Sequence, residues 1–252
     1  MNPAMFFRGQ LFATLAFALC LAISSVAQTS VGPLNGRIEK NQYISPTGAF
    51  QINIPVIAAL GGSVTDTENV VIFQDRLNTH QSLACFKQDS TQRFEEESRG
   101  RKEYLIWFLA NFVQADFEQR FHGARVESAH FIPDLQGGAL LVYNLLPGGS
   151  MFANRALIVR RDQPPVAKRG NLLFVNHGHI YVLSIELAEK VIQGSAYTLT
   201  TEEEDAQLRK RLTDFLAKIT FNPLPTADGA TPGTAATPEK SAITPATDKP
   251  SR

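Results

Sequence analysis

Leu172-Leu-Phe-Val-Asn-His-Gly-His-Ile-Tyr-Val-Leu-Ser-Ile185 is the stretch that decides the fold class. Two apolar runs, over 172–176 and 179–185, flank His177-Gly178, which has the length and the glycine of a tight hairpin turn. Strands joined this closely run antiparallel, because a parallel pair needs a crossover of about a dozen residues or more. Upstream, Ala139-Leu-Leu-Val-Tyr-Asn-Leu-Leu146 is a nearly continuous apolar strand, preceded by weaker alternation over 125–132. After the Pro147-Gly-Gly149 turn, a further strand is expected over 151–160.

Farther toward the N-terminus, Ala49-Phe-Gln-Ile-Asn-Ile-Pro55 puts Phe50, Ile52 and Ile54 on one face of a strand that Pro55 ends. Val70-Val-Ile-Phe-Gln74 and Ser82-Leu-Ala-Cys-Phe86 read as two more strands, joined through 75–80. Asp89, Ser90 or Thr91 can cap a helix whose Glu95, Glu96 and Glu97 suit its positive end, with Gly100 as an interruption. Beyond it Leu105, Phe108, Leu109, Phe112, Val113, Phe117 and Phe121 recur at three and four, an apolar stripe that ends at Gly123. On this spacing Phe112 is buried, while Trp107 and Gln114 lie off the stripe. A last helix starts at Thr200 or Thr201, with Glu202, Glu203 and Glu204 in its first turn. Its buried face is Leu208, Leu212, Phe215, Leu216 and Ile219. The fold class is therefore α+β: an antiparallel β-sheet packed against a long Phe-rich helix and a C-terminal helix.

The two ends of the chain differ from this middle. Residues 1–27 combine Arg8, an uncharged apolar run over 11–23 and the small-residue exit Ser25-Val-Ala27. That is the pattern of a secretory signal peptide, and the apolar run of 13 residues is short for a spanning helix. Acylation at Cys20 is excluded because Leu19 stands where a small residue is required. Residues 28–41 are polar and turn-rich and read as a flexible lead-in; 42–222 form a single domain. From 223 to 252 the chain is nearly all Pro, Thr, Ala and charge without an aromatic residue, the composition of a disordered tail.

Residues 1–27 hold one base and no acid, so their removal leaves one fewer than 24 Lys and Arg against 24 Asp and Glu. A net charge of about −1 gives no electrostatic reach toward nucleic acid. Cys85 is then the only cysteine, in the apolar setting Ser82-Leu-Ala-Cys-Phe86, and reads as a buried thiol.

Two stretches carry a family resemblance. Tyr43-Ile-Ser-Pro-Thr-Gly-Ala-Phe-Gln-Ile-Asn-Ile-Pro55 resembles the opening strands of PsbP-like and DcrB-like α/β sandwich proteins. The end is also similar: a Gly178-His-Ile-Tyr-Val-Leu-Ser184 strand, an acidic gap, then Leu212-Thr-Asp-Phe-Leu-Ala-Lys-Ile-Thr-Phe221. The resemblance implies an antiparallel sheet with helices on its faces. It also implies a family that is largely exported, non-enzymatic and envelope- or assembly-associated. These are packing motifs, and no functional residue carries over.

For chemistry, Asn176-His-Gly-His179 stands out, since histidines separated by one residue on a strand share a face and can share a metal. Zinc wants three or four ligands, and nothing near in sequence completes the set around His177 and His179; His80, His122 and His130 join only through folding. A solvent-facing hairpin turn is the simpler reading. Pro147-Gly-Gly-Ser150 is no nucleophile elbow, and there is no P-loop or dinucleotide fingerprint, so no catalytic residue and no cofactor is expected. Arg160-Arg161 and Lys168-Arg169 bracket Gln163-Pro-Pro165 as a basic loop tip in solvent, with an acidic partner or lipid headgroups as its alternative occupants. The mixed charges of 94–103 read as a solvated face.

The resulting expectation is an exported, periplasmic or extracellular, non-catalytic binding or envelope-assembly module. It has an unknown protein or envelope partner and no integral membrane segment once the signal is cleaved. The alternative is an exported hydrolase or metal-dependent enzyme using His177 and His179.

Overall fold

A computed structural model describes residues 33–153 and 164–223. The expected signal peptide and tail, Arg160, Arg161 and most of the strand expected over 151–160 lie outside the described residues. In chain order come β1 (Arg37–Glu39), β2 (Gln42–Ile44), β3 (Phe50–Asn53), β4 (Ser63–Asp66), β5 (Val70–Gln74) and β6 (His80–Lys87). Then follow α1 (Ser90–Arg99), α2 (Arg101–Phe108), a π-helical segment (Leu109–Gln114) and α3 (Ala115–Arg120). The second half holds β7 (Arg125–Ile132), β8 (Ala139–Pro147), β9 (Val166–Asn176), β10 (His179–Glu186), α4 (Ala188–Ile192), α5 (Thr201–Leu216) and β11 (Ile219–Phe221).

Every strand pairing is antiparallel. A seven-stranded sheet has the order β4-β5-β6-β10-β9-β8-β7, and a four-stranded sheet the order β1-β2-β3-β11. The hairpin that decides the fold class sits at the centre of the larger sheet. His177 and Gly178 both have positive φ, 46° and 70°, the two left-handed residues of the turn that matches strand twist.

The central strands are apolar at nearly every position because both faces of this sheet are covered. Leu141, Leu172, Phe174, Leu183 and Ile185 point into a core shared with the small sheet and α5. Their chain neighbours Leu140, Leu173, Val175 and Val182 point the other way, beneath Tyr104, Leu105, Phe108 and Leu109 of the Phe-rich helix. On the first side α5 lies so close to β9 that a Cβ at Gly170 would come within 2.9 Å of Leu212 Cδ1. Aromatic rings tie this layer together: Phe73 meets Phe215 edge-on at 6.2 Å, and Tyr181 meets Phe221 edge-on at 4.8 Å.

Thr200 caps α5 with a reciprocal Glu203 capping box, as the sequence leads one to expect. Leu208, Leu212, Phe215 and Leu216 are buried; Ile219 is buried too, but in β11 rather than in the helix. Two further differences concern chain paths. Arg37–Glu39 of the expected lead-in pairs with β2 as β1. Met151, Phe152 and Ala153 form a turn rather than a strand, where Ser150 Oγ and the Met151 amide donate to the buried Glu186 carboxylate.

Candidate functional site

The Phe-rich helix departs from the regular spacing read in the sequence. Gly100, at φ 78°, separates α1 from α2, and Asp89 caps α1 through a capping box with Gln92. Leu105, Phe108 and Leu109 are buried as expected. Over Leu109–Gln114 the helix then widens into i→i+5 hydrogen bonding, and the Asn111 side-chain Nδ2 donates to the Trp107 carbonyl at 2.8 Å. The wider turn carries later residues out of phase with the α-helical stripe. Phe112, expected in the core, is therefore 47% exposed, its ring stacked on Phe108 at 4.8 Å and edge-on to Trp107 at 5.5 Å. Gln114, expected off the buried face, is half-buried and hydrogen-bonded to the sheet.

Between this widened segment and the sheet opens a groove of about 690 Å³. Its floor is Val70 of β5, Ala84 and Phe86 of β6, and Val182 and Ser184 of β10. Its wall is Phe108, Phe112, Val113 and Phe117. The volume falls within the range of about 300–1,000 Å³ usual for ligand pockets, and the lining has their mostly apolar character. Charge is confined to the rim. Asp116 is paired with Arg120 at 2.8 Å, while Lys87 and Asp89, the latter accepting from the Gln92 backbone amide, enter no ion pair among the described residues.

A row of polar side chains crosses the sheet from groove floor to helix. Ser184 Oγ donates to Asn171 Oδ1 at 2.6 Å, Asn171 Nδ2 to Asn144 Oδ1 at 2.9 Å, and Asn144 Nδ2 to Gln114 Oε1 at 2.7 Å. Gln114 Nε2 ends the chain on the Ala124 carbonyl and on Glu118. The row fastens the end of the π-helical segment to the sheet and so sets the groove's width. Asn144→Leu should cost about 1–3 kcal/mol, because it strands the buried Asn171 amide. Asn144→Leu combined with Asn171→Leu should cost no more than the single change, since the fully buried Asn171 amide is gone and the groups then released, Ser184 Oγ and Gln114 Oε1, belong to half-buried residues. Urea denaturation of the two variants gives the comparison.

The histidine pair does not form a shared site. His177 is exposed in the turn, so strand alternation does not extend to it. His179 is only 4% exposed, with Nδ1 2.9 Å from the His177 carbonyl oxygen. It lines a separate cavity of about 290 Å³ between the two sheets, beside Tyr43, Phe50 and Cys85. Cys85 is buried and free, and burial pushes its thiol up to about 11 despite a hydrogen bond with Tyr181. His80 lies at the far end of β6 from His179, its imidazole pushed down to about 4 by burial and by the Arg169 charge. His122 and His130 are exposed elsewhere. Among the described residues no three His, Cys, Asp or Glu side chains are placed to hold a metal ion.

The basic tip is likewise corrected for its described half. Lys168 is 0% exposed on β9, with Nζ 2.5 Å from Glu127, 2.6 Å from Asp205 and 3.0 Å from Glu204, and 5.5 Å above the Tyr143 ring. Glu204 in turn accepts from Lys190 and from the Tyr197 hydroxyl. Arg169 pairs with Glu186 and donates to the Gly149 carbonyl. Both cations lie inside a paired strand because β9 pairs with β8 down to Val166 opposite Pro147. The ion cluster joins β7, β9, α4 and α5, which makes it a fastening of the fold.

No family model and no curated protein matches the sequence. In fold the chain is similar to the solution structure of the cyanobacterial PsbP (CyanoP) of Synechocystis sp. PCC 6803, at 12% identity and a TM-score of 0.45, over 76% of this chain and 99% of that one. It is also similar to the crystal structure of the Saccharomyces cerevisiae Ran-binding protein Mog1p, at 10% identity and a TM-score of 0.41, over 75% and 96% of the two chains. A PsbP protein is thus among the solved structures this fold is like, as the two end motifs led one to expect. At this distance no site residue is carried across.

Proposed function

We propose that the chain is an exported, non-catalytic binding module of the cell envelope or its exterior, whose working surface is the groove beneath Phe112. The observation that carries the reading is a large phenylalanine held half in solvent at the mouth of a groove of about 690 Å³. A helix that breaks its own regular hydrogen bonding to hold an apolar ring at a cavity mouth has no packing gain to explain it, and π-helical turns recur at functional sites. The groove itself offers no nucleophile, base and acid together. Ser184 has its hydroxyl hydrogen committed to Asn171, and Asp116 is paired with Arg120.

Two experiments test the two halves of the reading. A photo-reactive phenylalanine analogue at position 112, irradiated in the producing cells, should give adducts that are absent from the exposed position 103 and lost when Ala84→Phe fills the groove. Adducts that persist with the groove filled would remove the groove from the function. Export rests on the sequence of residues 1–27, and N-terminal sequencing of the released protein should begin at Gln28. An intact Met1 on a membrane-embedded product would end the cleavage reading.

A further inference from the structure

We propose a second ligand site, on the opposite face of the sheet from the groove. It is a pocket beside α5 that takes a small carboxylate with an apolar body about one ring in size, and Arg209 holds the charge. The pocket follows from how α5 is seated. The helix packs on β9 and β10 and is drawn in at Gly170, where a Cβ would come within 2.9 Å of Leu212 Cδ1. Strand twist turns β8 and β7 away beneath its far side, and a pocket of about 220 Å³ is left between them. Its wall includes Leu135 of the β7–β8 turn, Leu141 of β8, Leu172 of β9, and Leu212 and Thr213 of α5, with Arg209 one turn before Thr213. Leu141, Leu172 and Leu212 are core residues, so the pocket reaches down to the main core. An apolar cavity of about 150 Å³ is enough for one benzene ring, and this one has room for a ring with a short acidic arm.

Charge selects the guest. Arg209 is the one charged side chain on the wall among the described residues. Of the three bases of α5, Lys210 is paired with Asp214 and Arg211 with Glu189, whereas Arg209 enters no ion pair among the described residues. The acid one turn before it, Asp205, is held by the buried Lys168 at 2.6 Å. Asp134, in the turn that supplies Leu135, is exposed and off the wall. Thr213 has given its hydroxyl hydrogen to the Arg209 carbonyl at 3.0 Å. The donors for an anion therefore belong to the guanidinium, whose planar fork fits a carboxylate. A neutral apolar guest would leave that fork without an acceptor. The Asp or Glu side chain of a protein partner would answer the fork but has too little apolar body to cover the leucine floor. A monocyclic acid does both.

The protein, labelled with carbon-13 at its leucine methyls, is titrated with phenylacetate and followed by nuclear magnetic resonance. Saturable shifts at Leu135, Leu141, Leu172 and Leu212 are expected, with a dissociation constant of about 1 mM or below. Phenylacetamide, the same shape without the charge, and Arg209→Met with the acid itself, should each bind about tenfold more weakly or worse, the scale of one hydrogen bond to a charged group. Thr213→Phe, at an exposed position of α5, puts a ring across the mouth and should abolish the saturable shifts, with circular dichroism confirming that each variant is folded. Absence of saturable shifts at these leucines overturns the proposal. So does equal binding of acid and amide, which would make the pocket an unselective apolar hole, or a response confined to residues of the groove. Photo-adducts at position 112 bear on the groove alone, so either site can fail while the other stands.

Discussion

Phe108→Ala is expected to lose about 3–5 kcal/mol in chemical denaturation, the range for truncating a fully buried phenylalanine. Phe112→Ala, four residues on, should lose only about 0.5–1.5 kcal/mol, the scale of an aromatic pair without deep burial. Phe108 is 3% exposed and packs against Tyr104 and Phe86 on the sheet side of the helix. Phe112 is 47% exposed and keeps mainly its stacking on Phe108. In an unbroken α-helix the two positions would share a face and the two losses would be alike. Equal losses of several kcal/mol would therefore show a closed groove with Phe112 in the core. The contrast between the two measures the π-helical displacement directly.

That displacement is also where sequence reading stops. The hairpin at His177-Gly178, the Thr200 cap and the strands around Phe50, Ile72 and Val142 were legible because each depends on local chemistry: turn glycines, capping side chains, and alternation or a short continuous apolar run. Phe112 was not, because a single extra residue in one helical turn leaves the composition unchanged and alters only the phase. Lys168 escaped for a different reason. A lysine next to Gln163-Pro-Pro165 reads as solvated, and only the far-off Glu127, Glu204 and Asp205, gathered by the sheet and α5, make its burial tolerable. Ser184 and Asn171 gave no signal either, since a polar residue within an apolar run acquires meaning only when β9 and β10 set the two side by side in register. The groove was thus illegible while its walls were mostly legible. Its existence depends on relations between elements, and its one lexical trace is a phenylalanine that the helical period assigned to the core.

Lys168→Met should be the most damaging change to the opposite face of the sheet, costing about 3–5 kcal/mol at neutral pH, as when one partner of a buried ion pair is removed. Lys210→Met, which breaks an exposed pair with Asp214, should cost under about 1 kcal/mol. The difference lies in what is left behind. Asp214 is wet, whereas Glu204 is only 2% exposed and keeps Lys190 as its one remaining cation among the described residues. The pH dependence follows from the same contacts. Burial alone would push the Glu204 carboxyl up, but hydrogen bonds from Lys190, Lys168 and Tyr197 outweigh it and hold the group below its ordinary 4.5. A carboxyl depressed in the folded state stabilises it above the unfolded value and loses that contribution as pH falls through the folded one. The unaltered protein should therefore begin to lose this stability only below about pH 4.5, the ordinary value of the group. In Lys168→Met the carboxyl has lost a cation and takes up its proton at higher pH, which relieves the stranded charge. The stability gap between the two proteins should accordingly shrink as the buffer is taken from about pH 7 toward about pH 4, through the ordinary carboxylate range. Urea midpoints measured across that window decide the matter, and a gap that stays constant would mean that water reaches Glu204 once the lysine is gone.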